Sequence, residues 1–460
     1  MVQKILQNKL KLMNYIDPDN CSICVIGLGY VGLPLLISIS KNKNSFKTQN
    51  SINRKIFGFD KNTKRIEELK KNIDKTNEVK KEVLLKAKNI TFTSDKEILS
   101  EIDIFIVAIP TPIDQFKKPD LSYLKNACIT IGKSIKNRNS ELSPIIIFES
   151  TVYPGCTEEE CVPLLEEYSG KDHNSNNIKN TFFCGYSPER INPGDKENNI
   201  ENIIKVVSGC NDKVTTIVDL FYSSFVKAGT HKTESIKVAE AAKIIENTQR
   251  DINIALVNEL AIICDRLGID TLDVLDAAST KWNFQHFKPG LVGGHCISVD
   301  PYYLTYKAEK LGYSPKVVLA GRQINDSMSE WIVDKIILEI SNKEISFRKC
   351  KILVMGITFK ENCPDIRNSK VIEIIKNLES KGFNITIFDP VAEKSIVLEK
   401  YQLKIENNIT NNYYDVVLIT VAHKEFIKYD LNFWKNIIQD KTICFDIKGI
   451  LPRELKAIRL

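Results

Sequence analysis

The sharpest chemical possibility in this chain is a cysteine set among glycines. Cys296 lies in Gly293-Gly294-His295-Cys296-Ile297-Ser298-Val299-Asp300. Glycine lets the backbone lie against a ligand, and a thiol whose pKa is lowered by a nearby cation or dipole is a nucleophile. Taken alone, a cysteine more often packs than reacts, and His295 beside it reads as structural. Two other groupings bear on the chemistry. Lys243 and Asn247 stand four residues apart, so on a helix their ammonium and amide share one face and suit an oxyanion. In isolation Lys243 would be a solvated surface residue. Glu149-Ser150-Thr151 ends an apolar run; ligands of open α/β sheets sit at strand carboxyl ends, although a polar strand end is also ordinary.

A second kind of chemistry is written in Gly27-Leu28-Gly29-Tyr30-Val31-Gly32, a GxGxxG that follows one apolar run and precedes a helical stretch. Its glycines permit a tight turn, close approach to a pyrophosphate and close strand-helix packing, while the helix N-terminus stabilises negative charge. Asp60 ends the next apolar run, where a carboxylate accepts from ribose hydroxyls, which favours NAD over NADP. The separation from Gly32 is longer than usual because a polar insert, residues 41–54, intervenes. Lys61, Lys64 and Arg65 would accommodate a 2′-phosphate or simply solvate a helix start.

These groups need elements to position them. Short apolar runs at 21–26, 55–60, 102–109 and 144–151 alternate with helix-like stretches, the pattern of strands buried on both faces of a parallel, doubly wound sheet. Residues 234–267 carry no proline and no glycine and have recurrent apolar positions, which predicts one long helix, with Gly268 as its C-cap. Helices near 271–278 and 315–340 follow, separated by a glycine-, proline- and aromatic-rich stretch over 282–303. Strand-helix alternation restarts at 351–357 and continues at 384–389, 415–421 and 441–446. The expected class is therefore α/β, with two Rossmann-like doubly wound parallel-sheet domains joined by a central helical domain. Boundaries are expected at 1–215, 216–335 and 336–460.

Bulk properties narrow the function classes. The net charge of +6 is a small difference between 64 basic and 58 acidic residues, which argues against nucleic-acid binding. Twelve cysteines scattered over 460 residues lack the spacing of a disulfide scaffold, and a reducing cytoplasm is expected. Residues 1–20 lack a signal-peptide apolar core, and no apolar run reaches the roughly 18–20 residues of a membrane span, so no membrane insertion is expected. Cys156 and Cys161 have no matching second pair at zinc-finger spacing, so no metal is expected.

Together these pieces resemble the UDP-glucose/GDP-mannose dehydrogenase family over nearly the whole chain. The matching segments are GLGYVGLP at 27–34, FD at 59–60, PTP at 110–112, ESTVYPG at 149–155, SPERINPGD at 187–195, the helix with Lys243 and Asn247, FKPGLVGGHCISVDPYYL at 287–304 and GITFKENCPDIRNS at 356–369. The resemblance implies an NAD-binding domain, a central helical domain that forms a homodimer through the long helix, and a C-terminal UDP-sugar-binding domain. It implies that Cys296 is the nucleophile, Lys243 and Asn247 hold the oxyanion, Asp300 assists water or proton transfer, and Thr151 and Glu189 position water and substrate. It further assigns Gly27, Gly29, Tyr30, Val31, Gly32, Asp60, Arg65, Pro110, Thr111, Thr151 and Arg367 to the cofactor. The substrate receives Glu189, Arg190, Asn192, Lys243, Asn247, Phe287, Pro289, Gly290, Gly293 and Lys360. The implied reaction oxidises a sugar C6 alcohol to a carboxylate through a thiohemiacetal and a thioester, with two NAD per product, for polysaccharide biosynthesis.

One departure bears on the sugar. UDP-glucose dehydrogenases resemble PEFLxEG at the loop where this chain reads Glu189-Arg190-Ile191-Asn192-Pro193-Gly194, so Pro193 replaces a second glutamate. That form resembles enzymes acting on UDP-N-acetylgalactosamine or UDP-N-acetylglucosamine. The rivals are a UDP-glucose or UDP-N-acetylmannosamine dehydrogenase, and a catalytically silent nucleotide-binding protein. The presence of Cys296, Lys243, Asn247 and Asp300 speaks against the last.

Overall fold

A computed structural model describes residues 15–177, 180–190, 199–409 and 414–460. It divides into two compact units, one ending at Ile245 and the other starting at Glu246, with the division inside the long helix Ile236–Leu267.

The first unit is built on nine strands among the described residues: β1 (Ser22–Ile26), β2 (Lys55–Phe59), β3 (Ile90–Thr93), β4 (Ile104–Val107), β5 (Ile145–Phe148), β6 (Asp172–His173), β7 (Thr181–Tyr186), β8 (Lys205–Gly209) and β9 (Thr230–Lys232). Every residue of β1, β4 and β5 is buried, as strands covered on both faces require. The order is β3-β2-β1-β4-β5-β7-β8-β9, with β6 beside β7, and only the β7–β8 pair is antiparallel. Strand order reverses at β1, so the loop leaving its carboxyl end, Gly27 to Gly32, occupies the topological switch point. Ile23, Val25, Ile104, Ile106, Ile145 and Ile147 join the helices in one apolar core.

The second unit contains helices Thr271–Ser279, Asp300–Lys310 and Lys316–Asn342, followed by β10 (Lys351–Met355), β11 (Asn384–Phe388), β12 (Val416–Ile419), β13 (Ile443–Asp446) and β14 (Ile458–Arg459). These strands form a parallel sheet of order β11-β10-β12-β13-β14. Gly268, with φ +68°, ends the long helix in the left-handed conformation, and Ile269 N–H closes it on the Cys264 carbonyl at 3.1 Å. Asp270 then caps the next helix by accepting from Leu272 N–H at 2.8 Å.

The α/β class with two Rossmann-like sheets and intervening helices is the architecture found. The strands expected from apolar runs are present but shorter, because their terminal residues turn out into loops. Strands β3, β6, β7, β8, β9 and β14 have no counterpart among the sequence expectations; β6, β9 and β14 have only two or three residues each and show no readable alternation, whereas the helix Ser122–Lys136 is one of the helix-like stretches expected between the runs at 102–109 and 144–151. The irregular stretch expected to reach residue 303 ends at 299. Asp300 opens a helix with Pro301 in its first turn, where a missing N–H costs nothing.

Candidate active site

The Gly27–Gly32 loop fits a dinucleotide. Gly27 adopts φ +92°, and a Cβ there would lie 2.7 Å from the Ala108 carbonyl oxygen. A Cβ on Gly32 would stand 1.8 Å from the Gly27 carbonyl oxygen, so strand and helix meet only because both positions lack one. A Cβ on Gly29 would have no described atom within 4 Å, which leaves open space at the start of the helix Gly32–Lys41. Asp60 follows β2 and accepts from Leu28 N–H at 3.0 Å and Asn62 N–H at 2.9 Å. Arg65 donates to the Leu28 carbonyl at 2.9 Å and pairs with Asp74 at 2.8 Å, bracing the loop from below. Tyr30 and Val31 are half-buried, and Pro110 is exposed. Thr111 Oγ1 donates to the Thr151 carbonyl at 2.6 Å, joining the segments that leave β4 and β5.

The same unit holds a buried charged group at the β5 end. Glu149 receives the Lys205 ammonium at 2.6 Å and the Tyr222 hydroxyl, and Lys205 also donates to the Pro188 carbonyl at 2.9 Å. Burial raises the Glu149 carboxyl and the lysine opposes this; burial and the adjacent Glu149 push the Tyr222 phenol well up. Next to Pro188, Glu189 forms an ion pair with Lys243 at 3.5 Å, both side chains being more than nine-tenths buried. Glu189 and Arg190 line a small cavity with Glu149, Ile200, Ile204 and Lys205, and Arg190 donates to the Ile204 carbonyl at 2.8 Å. Asn192 and Pro193 lie outside the described residues.

One turn before Lys243, Glu240 is fully buried and accepts from Thr157 N–H at 2.9 Å, Thr157 Oγ1 at 2.7 Å and Gly155 N–H at 2.5 Å. Burial pushes its carboxyl up to about 7 against these hydrogen bonds. It ties the helix that carries Lys243 to the turn following Thr151. Sequence reasoning does not single out Glu240, Lys205 or Tyr222, although Glu240 lies at i−3 from Lys243 on a predicted helix, a usable signal.

In the second unit Asn247 Nδ2 donates to Asp300 Oδ2 at 2.6 Å, with both residues buried. Asp300 N–H in turn donates to the Cys296 carbonyl at 2.8 Å, so amide, carboxylate and cysteine form one linked set. Of the twelve cysteines, ten are buried; only Cys210 and Cys296 are half-buried, and burial pushes the Cys210 thiol up to about 11. The glycines before Cys296 are sterically required. A Cβ on Gly293 would meet the Asn368 carbonyl oxygen at 2.5 Å, and one on Gly294, at φ +88°, would meet the Phe359 ring at 2.9 Å. Burial, and then the Arg367 guanidinium, push the His295 imidazole down to about 4, against Asp365, so it is neutral near pH 7. Arg367 forks onto Asp365 at 2.6–3.0 Å, and Lys360 Nζ lies 5.9 Å from the Phe359 ring centroid. Pro289 and Gly290 are buried and Phe287 is half-buried.

Comparison with known proteins decides what these parts belong to. Three models of the UDP-glucose/GDP-mannose dehydrogenase family match in order: the NAD binding domain over residues 21–226, the central domain over 237–327 and the UDP binding domain over 353–453. The chain belongs to this family. It is accordingly an NAD-dependent nucleotide-sugar dehydrogenase. Similar proteins include CapL of Staphylococcus aureus, 51% identical with 94% of this chain and 96% of that one covered. A UDP-N-acetyl-D-glucosamine 6-dehydrogenase of Salmonella typhi is 46% identical, covering 96% and 99%. The solved UDP-D-ManNAc dehydrogenase of Pyrococcus horikoshii has the same fold, with a TM-score of 0.80 at 24% identity, covering 94% of this chain and 96% of that one. Among the described residues no helix of this family member is long and apolar enough to cross a membrane.

Proposed function

We propose that the chain oxidises the C6 alcohol of a UDP-N-acetylhexosamine to the uronic acid through a thioester on Cys296, to supply polysaccharide biosynthesis. The observation that carries this reading is the hydrogen-bonded set Asn247–Asp300–Cys296, which holds the half-buried cysteine in a fixed turn at the head of a helix. The UDP-N-acetylglucosamine enzyme at 46% identity favours the gluco sugar over its galacto epimer, and Pro193 in place of a second glutamate is the sequence feature that favours N-acetylated sugars over UDP-glucose.

The Gly27–Gly32 loop and Asp60 would hold NAD, which would supply the hydride acceptor for two oxidations per product. We assign Tyr30, Val31, Arg65, Pro110, Thr111, Thr151 and Arg367 to the cofactor. Cys296 adds to the intermediate aldehyde, and the covalent adduct keeps a reactive carbonyl from being released. Lys243 and Asn247 stabilise the oxyanion, each such donor contributing about 3–4 kcal/mol. Asp300, oriented by Asn247, takes the proton from the water that cleaves the thioester. Glu189, paired with Lys243, positions that water with Thr151. Arg190, Asn192, Phe287, Pro289, Gly290, Gly293 and Lys360 hold the UDP-sugar.

Incubating the protein with each UDP-sugar and NAD, and following NADH absorbance alongside acid release, tests this. Turnover of UDP-N-acetylglucosamine with two NADH per acid is expected, together with loss of acid release in Cys296→Ser. Turnover of UDP-glucose alone would overturn the substrate assignment. Full acid formation by Cys296→Ser would exclude the thioester.

A further inference from the structure

The segment that carries Cys296 is gripped on both sides by asparagines, and each grip uses both backbone groups of one glycine. At the first, the Asn258 carboxamide accepts from Gly290 N–H at 2.8 Å and donates to the Gly290 carbonyl at 3.0 Å. At the second, Asn368 donates through Nδ2 to the Gly294 carbonyl at 3.0 Å and accepts from Gly294 N–H through its own main-chain carbonyl at 3.4 Å. Gly294 also accepts from Ser298 Oγ at 2.6 Å, across the cysteine.

Neither asparagine is itself loose. Asn258 is fully buried, and its Nδ2 also donates to Asn325 Oδ1 at 2.8 Å. Asn325 donates to the carboxylate and carbonyl of Asp251 at 2.7 and 2.9 Å, and Asp251 is ion-paired with the buried Arg322 at 2.6 Å. This chain of partners fixes which face of the Asn258 carboxamide is oxygen and which is nitrogen. Asn368 sits at φ +52° in the left-handed region, which asparagine tolerates better than most residues, and this conformation aims both its carbonyl and its side chain at Gly294. Gly293 and Gly294 have no room for a side chain against Asn368 and Phe359, so the loop cannot slide while these contacts stand.

We propose that Asn258 and Asn368 are positioning residues that set the place of the Cys296 sulfur, a role that rests on Cys296 being the nucleophile. Asn258 anchors the segment to the long helix, while Asn368 anchors it to the loop that follows Lys360. A misplacement of about 1 Å at a reacting centre costs on the order of 100-fold in rate. Neither asparagine is among the residues assigned to NAD.

The test uses full-length Asn258→Leu, Asn258→Asp and Asn368→Ala, compared by kcat, by KM for NAD and UDP-sugar, and by the rate at which iodoacetamide labels the Cys296 peptide in mass spectrometry. Asn258→Leu and Asn368→Ala should each lower kcat roughly 10- to 100-fold, with KM for NAD within about twofold of wild type, and should alter the Cys296 labelling rate. Asn258→Asp keeps the acceptor for Gly290 N–H but turns an oxygen toward the Gly290 carbonyl and Asn325 Oδ1, where Nδ2 now donates, and should lower kcat at least as far as Asn258→Leu. Wild-type kcat and unchanged labelling in both Asn258→Leu and Asn368→Ala would overturn the proposal. Parallel losses in kcat and in the fraction of folded protein, with labelling of the folded fraction unchanged, would also overturn it by showing a purely structural role. Cys296→Ser, assayed beside them, separates the two readings: if it releases acid at the wild-type rate, the nucleophile assignment fails whatever the asparagine variants do.

Discussion

Glu240 is the residue through which solution pH should act most visibly on stability. Its carboxyl is pushed up to about 7 by burial, with nearby Glu158 adding to the shift and Thr157 and Gly155 opposing it. A carboxyl raised in the folded state binds its proton more tightly there than in the unfolded chain, so folding takes up a proton between the two pKa values. The stabilisation is complete below the unfolded carboxyl value and is lost as pH rises through about 7. Melting temperature should therefore fall between about pH 5 and 8, by at most ~1.4 kcal/mol per pH unit in stability, and fall less steeply in Glu240→Gln. Equal slopes for the two proteins in a fluorescence melt would rule this out. Single residues are unevenly legible in the sequence. Cys296, Lys243, Asn247 and Asp300 stand out through their order and spacing, whereas Lys205 and Tyr222 do not, because their buried group depends on a strand end, a strand and a helix brought together from residues 149, 205 and 222.

The glycine loop shows how one element divides its requirements between folding and binding. Gly32→Ala would drive a methyl to 1.8 Å from the Gly27 carbonyl, so the strand-turn-helix unit itself must shift. Gly29→Ala meets nothing in the described protein and fills only open space, where we propose that the pyrophosphate lies. Gly32→Ala should lower the melting temperature and abolish NAD binding. Gly29→Ala should melt like wild type yet weaken NAD at least tenfold by isothermal titration. Unimpaired NAD affinity in Gly29→Ala would remove that glycine from the cofactor site. Sequence discloses these elements where periodicity is strong, as in β1, β4, β5 and the long helix. It fails at the two- and three-residue strands, and at 300–303, where proline and tyrosines read as irregular although Pro301 is compatible with a first helical turn.

At the level of the whole protein, the long helix leaves apolar side chains uncovered. Ile245, Leu256 and Ile263 are 53%, 63% and 48% exposed, and their separations of eleven and seven residues put them on one face. A homodimer through this face is the assembly we propose. Light scattering should give twice the chain mass of 52.3 kDa for the wild type and the single-chain mass for Leu256→Lys combined with Ile263→Lys. A wild-type protein already at the single-chain mass would refute it. The sequence displays these apolar positions but not their exposure, because a hydrophobic repeat looks the same whether it faces a core or a second chain.

The distribution of the cysteines carries a further consequence, in the protein's response to oxidants. Ten of the twelve thiols are buried, and the one other half-buried thiol, Cys210, is held as an unreactive neutral group. Oxidants reach the more exposed thiols first, so oxidation would concentrate at Cys296 and spare the rest. On the role proposed for Cys296, a single sulfenic acid there would stop turnover, and a cellular thiol would restore it through a mixed disulfide. In a cell under oxidative stress, the dehydrogenase reaction would then be interrupted reversibly, without the protein having to be remade.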